Sequence, residues 1–318
     1  MLRATLLILF LLIGSASPLL AKRGESIFDR WSHMDQKTIE LHLNLDSLEA
    51  LRYSEAAIQG TVIDNGRSFT LAITTRGRFR RRTCALPPMK LQFDKDMLRL
   101  AGLNTHNDYK LVTPCTSDPA GQDAILREQL AYELYHTVAP EASFRTKLLT
   151  INYVNTADGS VTSGYAILIE DIDELESRLQ ADNCKECYNA PLAEYANAEQ
   201  VALFQYMIGN HDFSTLLTRN LKLLRTADGR LTSVPYDFDF SGLVSPPYLN
   251  AKVKERHLIW EFTDTPDFTA ATATLLSLEE QLLQQVEEYA ALDKGSKRKI
   301  SKYLRGFFQE LQAGEVTL

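Results

Sequence analysis

Apolar and polar residues alternate along Thr38–Leu45 (TIELHLNL), which predicts a strand with one face on a core. Asp46–Leu51 then carries a helical start, with Asp46 as its cap. Thr61-Val-Ile-Asp-Asn-Gly66 ends a strand in an Asn-Gly turn, and Ser68–Thr75 resumes it, so a hairpin is expected. Met89–Phe93 (MKLQF) and Tyr109–Thr113 (YKLVT) read as two further short strands. Residues 22–36 show neither period and read as an irregular lead-in.

The pattern changes at Gln122–Val138. Leu126, Leu130, Leu134 and Val138 recur every four residues, as on one stripe of a helix. At about 100° per residue Arg127 falls within that stripe and Glu128 outside it, on a flank that faces a neighbouring strand or water. Lys147–Val154, an Asp158-Gly159 turn and Tyr165–Glu170 predict a second hairpin. Helices are expected over Leu192–Ile208, Leu275–Ala291 and Lys297–Gln312. Between them, Leu221–Leu224, Asp228-Gly229 and Leu231–Tyr236 read as a short hairpin. A sheet-rich half followed by a helix-rich half predicts an α+β protein in two parts.

Composition narrows the classes. The chain has 318 residues, 45% of them hydrophobic, enough for a substantial core. Its net charge of -7 argues against a nucleic-acid partner. Met1–Ala21 has a basic start, a short apolar run and small residues before Ala21, the pattern of a secretory signal. Cleavage is expected after Ala21, with Ala16 as the alternative, leaving 22–318 as the mature chain. No later apolar run is long enough for a stable membrane span, so an exported, periplasmic or extracellular protein is expected. Four cysteines in such a chain predict disulfides. The simplest of three pairings joins Cys84 to Cys115 and Cys184 to Cys187, the latter read as a loop staple rather than a redox pair or half a zinc site.

Three clusters carry candidate chemistry. Arg76-Gly-Arg-Phe-Arg-Arg-Arg82 sets five arginines in seven residues, and Lys90 follows mid-strand between Met89 and Leu91. Guanidinium forks suit phosphate or carboxylate oxygens, although a solvated rim would look the same. Gly209-Asn-His-Asp212-Phe-Ser214 with Asn220 sits between a predicted helix and a hairpin, where polar groups can face a cleft or simply make turns. Val234-Pro-Tyr-Asp-Phe-Asp-Phe-Ser-Gly242 puts Asp237 and Asp239 into an apolar run. In a strand both would share a face and repel, unless water screens them or a hard cation such as Mg²⁺ or Mn²⁺ lies between them.

In chain order these groups are a strand lysine, a helix glutamate, a loop aspartate, an asparagine and a last aspartate. Mg-dependent phosphoryl transfer uses such a set. The series resembles the CotH kinase family, atypical protein kinases first known from spore coats. The resembling residues are Arg76-Gly-Arg-Phe-Arg80 with Lys90-Leu-Gln-Phe93, Leu126-Arg-Glu128 with Leu130–Leu134, Gly164-Tyr165 through Asp173, Gly209–Asp212 with Asn220, and Pro235–Asp239, across roughly residues 70–245.

The resemblance implies a two-lobed kinase-like fold, with an antiparallel-sheet N-lobe over about 35–171 and a mainly helical C-lobe over about 172–318. It implies ATP with Mg²⁺ or Mn²⁺, and a protein substrate. Lys90 would touch the ATP phosphates and Glu128, in competition with Glu133, would hold Lys90. Asp212 would be catalytic. Asn220 and Asp237 would hold metal with Asp239 in support, and Glu170 would lie near the hinge. Two features depart from ordinary protein kinases: Asp212 and Asn220 are eight residues apart, and no G-x-G-x-x-G loop is present. The arginine turn, with Arg78 and Arg80, is expected at the phosphates instead. The alternative is a catalytically inactive binding or scaffold protein of the cell envelope. A third possibility is a metal-dependent hydrolase using His211, Asp237 and Asp239.

Overall fold

The computed structural model describes residues 24–34, 38–249 and 255–316. The predicted signal lies outside them. Seven strands form one closed barrel: β1 (Thr38–Leu43), β2 (Ile58–Asp64), β3 (Arg67–Thr75), β4 (Met89–Phe93), β5 (Asp108–Val112), β6 (Thr146–Asn155) and β7 (Val161–Ile169). Their order is β1-β2-β3-β4-β5-β7-β6. The pairs are antiparallel except β1 with β6, which runs parallel from Thr38 opposite Thr150 to Leu43 opposite Asn155.

That parallel pair overturns the expected two-lobed kinase-like fold with an antiparallel-sheet N-lobe. The sheet has no free edge left, because its first strand bonds its last, and a mixed barrel results. A second sheet of three strands, in the order β10-β9-β8, comprises β8 (Ala181–Asn183), β9 (Leu221–Thr226) and β10 (Leu231–Pro235).

Alternation along the strands fills the barrel. Met89, Leu91 and Phe93 of β4 point inward with Leu71 and Ile73 of β3, Tyr109 and Leu111 of β5, and Ile151 of β6. Helix α1 (Ile27–His33) adds Ile27, Phe28 and Trp31 to the same core, so part of the expected irregular lead-in is helical. Its Ser26 cap and Asp29 close a capping box. Short helices α2 (Leu45–Ala50), α3 (Arg80–Thr83) and α4 (Lys95–Leu100) lie between strands. The cap of α2 is Asn44 rather than Asp46, since the Asn44 side chain accepts from the Ser47 N–H.

The second half of β7 is buried on both faces. Ala166 and Leu168 belong to the barrel core, while Ile167 and Ile169 face the long helix α5 (Pro119–Val138). Helix α5 is wedged between the barrel and α7 (Ala198–Ile208), α8 (Thr269–Glu288) and α9 (Lys294–Ala313). It is therefore buried well beyond its leucine stripe, and Glu128 is only 1% exposed. Helix α6 (Ile172–Leu179) follows β7 directly.

Cys84 bonds Cys115, and Cys184 bonds Cys187, the pairing expected from the sequence. Two disulfides are compatible with an exported protein. Among the described residues no helix is long and apolar enough to cross a membrane.

Candidate active site

A cavity of about 740 Å³ opens where the arginine turn meets two loops of the helical part. Arg76, Arg78, Arg80 and Arg82 line one side, and Asp212, Asn220, Asp237 and Asp239 the other. The turn needs Gly77, which sits at φ +79°, between β3 and α3.

Two backbone devices place the acids. Helix α7 ends at Gly209 in the left-handed region, and the chain leaves it in a new direction. Residues 208–210 then run against 241–243: Gly242 N–H donates to Gly209 O, and Leu243 N–H to Ile208 O. This short antiparallel contact ties the Asp212 loop to the Asp237–Asp239 loop. The Asn220 amide donates to the Asp212 carbonyl at 2.5 Å and to its carboxylate at 3.1 Å, bridging the eight-residue gap.

Asp237 and Asp239 are not on a strand face. β10 stops at Pro235, and Asp237 stands at φ +66° with its N–H donating to the Tyr132 hydroxyl of α5. Asn220 is also left-handed, at φ +53°. Asn and Asp tolerate that region better than most residues, but it still carries strain, and such strain collects at functional sites.

Charge is unevenly satisfied. Arg80 is 7% exposed and paired twice: it donates to Asp239 at 2.8 Å and to Glu128 at 2.5 Å. Tyr248 donates to the same Asp239 oxygen. Burial, then the nearby Asp239 and Asp237, push the Glu128 carboxyl up to about 8, although Arg80 opposes the shift. The other Glu128 oxygen, Oε1, has no partner among the described residues. Burial and Asp239 likewise push Asp237 up to about 6. Asp212 is raised by burial, with Arg219 and Asn220 pulling the other way. By contrast, Arg76, Arg78 and Arg82 make no ion pair with any described residue.

The expected Lys90–Glu128 pair is not formed. Lys90 bonds Asp108 at 2.6 Å at the rim, and Glu128 has Arg80 instead. Lys90 is on the outer barrel face, because its neighbours Met89 and Leu91 fill the interior. Directly opposite it in register is Lys110 of β5. The Lys110 ammonium is 4.5 Å from the Tyr236 ring centroid and 5.2 Å from that of Phe144. Burial, reinforced by Arg76 and Lys222, pushes it down to about 7, while Asp237 opposes. Sequence reasoning missed Lys110, although Tyr109-Lys-Leu111 has the same lysine-between-apolar pattern that drew attention to Lys90.

Two further residues lie elsewhere. Glu170 is buried at the β7–α6 junction, where it accepts from Arg145 and Arg178, and does not line the cavity. His211 does not line the cavity either, and its ring lies 5.2 Å from that of His257.

Among the described residues no three His, Cys, Asp or Glu side chains gather into a metal cluster. The donor set nevertheless fits one hard cation. The Asp237 carboxylate receives no hydrogen bond from any described residue and is strained by its acidic neighbours. Asn220 holds its amide nitrogen on Asp212, which leaves its oxygen free to coordinate. Mg²⁺ commonly takes one or two carboxylates and completes its shell with water and substrate phosphates.

No protein-family profile matches the chain, and no curated protein matches it. Among solved structures it is similar to a proinflammatory kinase of Helicobacter pylori, CtkA, at 11% identity and a TM-score of 0.35. The likeness covers 71% of this chain and 88% of that one. At that score it does not decide fold or chemistry.

Proposed function

We propose that the cavity binds ATP with Mg²⁺ or Mn²⁺ and passes the γ-phosphate to a protein hydroxyl, outside the cytoplasm. The observation that carries this reading is one cavity that joins Arg76, Arg78 and Arg82, which make no ion pair among the described residues, to Asp212, Asn220 and a strained, undersatisfied Asp237. A polyanion with a divalent cation matches both halves, and neither half is matched by a neutral ligand.

Arg76, Arg78 and Arg82 grip phosphate oxygens as charge-assisted donors. Lys110 reaches the same region from β5, while Lys90 stays at the rim with Asp108. Arg80 positions rather than grips: it pins Asp239 and Glu128 behind the cavity. Asn220 and Asp237 hold the metal, and Asp239 steadies that loop. A bound divalent cation supplies charge neutralisation at the phosphates.

Asp212 accepts the proton of the attacking hydroxyl. The new P–O bond forms as the bond to the bridging oxygen breaks, and the nucleoside diphosphate leaves. Its raised proton affinity makes Asp212 a better base. Asn220 aims it through the contact at 3.1 Å.

The test is transfer of radiolabelled γ-phosphate to the protein itself and to dephosphorylated casein. Wild-type protein with Mg²⁺ or Mn²⁺ is expected to label, and Asp212→Asn to lose about a hundredfold or more. Nucleotide binding without transfer would leave the inactive scaffold as the better reading.

A further inference from the structure

A second cavity, of about 700 Å³, lies on the other side of α5, between α5, α8 and β6. None of its lining residues belongs to the arginine cavity. Helix geometry separates the two. Glu128 and Tyr132 project from α5 toward the acids, and Gln129 and Glu133 follow one residue round.

The hydrogen bonds narrow which atoms remain available. The Gln129 side chain donates from Nε2 to Glu133 at 3.2 Å and to Thr146 at 3.1 Å. A carboxylate only accepts, so the Gln129 amide cannot be turned round. Its Oε1 is thus left as an acceptor with no partner among the described residues, on a side chain that is 1% exposed and lines the cavity. One end of the Gln285 amide pairs with the Thr137 hydroxyl at 2.9 Å, which leaves the other end of the amide without that partner. The buried Tyr289 hydroxyl, with no hydrogen-bond partner among the described residues, can do either. Buried polar groups of this kind are normally satisfied.

We propose that this cavity binds a neutral saccharide of two or three units. An amide acceptor, a second amide and a hydroxyl around one space match sugar hydroxyls, which both give and take hydrogen bonds. Tyr289 lines the cavity and packs against the hydrophobic core behind it. Glu133 and Glu288 against the single Lys147 make the lining weakly acidic, which disfavours phosphate and sets this cavity apart from the arginine one. The volume is in the range of small-ligand sites, about 300–1,000 Å³.

The experiment is isothermal titration of the full chain with maltotriose, cellotriose and chitotriose, with trialanine as the peptide comparison. At least one saccharide should bind the wild type. Its Kd should weaken fivefold or more in Gln285→Ala and in Tyr289→Phe, the second of which removes only a hydroxyl. Unfolding of each variant by circular dichroism checks that it folds. Binding of none of the three sugars, equal binding by both folded variants, or binding of trialanine alone overturns the proposal. Phosphate transfer at the other cavity is independent of all these outcomes.

Discussion

Removing Arg80 should cost far more stability than neutralising its partner Glu128. Arg80, Glu128 and Asp239 are 7%, 1% and 3% exposed, so water does little to soften the change. Arg80→Leu leaves the buried Asp239 carboxylate without its cation and the Glu128 carboxyl without its donor, and only Tyr248 remains on Asp239. Breaking a buried pair in this way costs about 3–5 kcal/mol. Glu128→Gln is different. Its carboxyl is pushed up to about 8, so at pH 7 it already carries a proton much of the time. The amide keeps an oxygen for Arg80, and the loss should be about 1 kcal/mol, the scale of one ordinary hydrogen bond. The assay is urea unfolding at pH 7, followed by circular dichroism with disulfides intact. The Arg80→Leu/Glu128→Gln double variant should lose less than the sum, because the residues share one contact. Equal losses for the two single variants would refute the reasoning, since Glu128 would then be a fully charged partner.

Asp237→Asn should abolish metal-dependent transfer while leaving the melting temperature unchanged or higher, because it relieves repulsion from Asp239. Glu174 is pushed up to about 7 by burial, against an unfolded value of about 4.3. The folded state is then the better proton binder between those values, so this group's stabilising effect is fully present below pH 4.3 and is lost as pH rises to about 7. Glu174→Gln should flatten that fall, as read by unfolding free energies at pH 5 and pH 8. Replacing Cys84 and Cys115 by serine should cost about 3–4 kcal/mol on the loop-entropy account, for a separation of 31 residues. Unfolding midpoints with and without the bridge measure it.

Local pattern carried far in this chain. The predicted strand over Met89–Phe93 is found unchanged, and the helix expected over Gln122–Val138 gains only its Pro119 start. Such elements follow from alternation and period within one segment. Barrel closure does not. It joins Thr38–Leu43 to residues more than a hundred positions later, and nothing local marks a parallel partner at that distance. Asp237 shows the same limit from the other side. Its run looks like a strand, yet the chain turns left-handed after Tyr236, where Tyr132 of a distant helix meets its backbone. The residue types of the candidate site were legible. Their pairing was not, because Lys90 and Lys110 sit in one register row and only the fold turns Lys110 toward Tyr236.

The most direct measurement is calorimetric titration of ATP into the protein with and without Mg²⁺, repeated with Asp237→Asn. The account predicts binding to wild type that strengthens with the metal, and a metal effect lost in the variant. Wild type that binds no ATP, or a metal effect equal in both proteins, would contradict it.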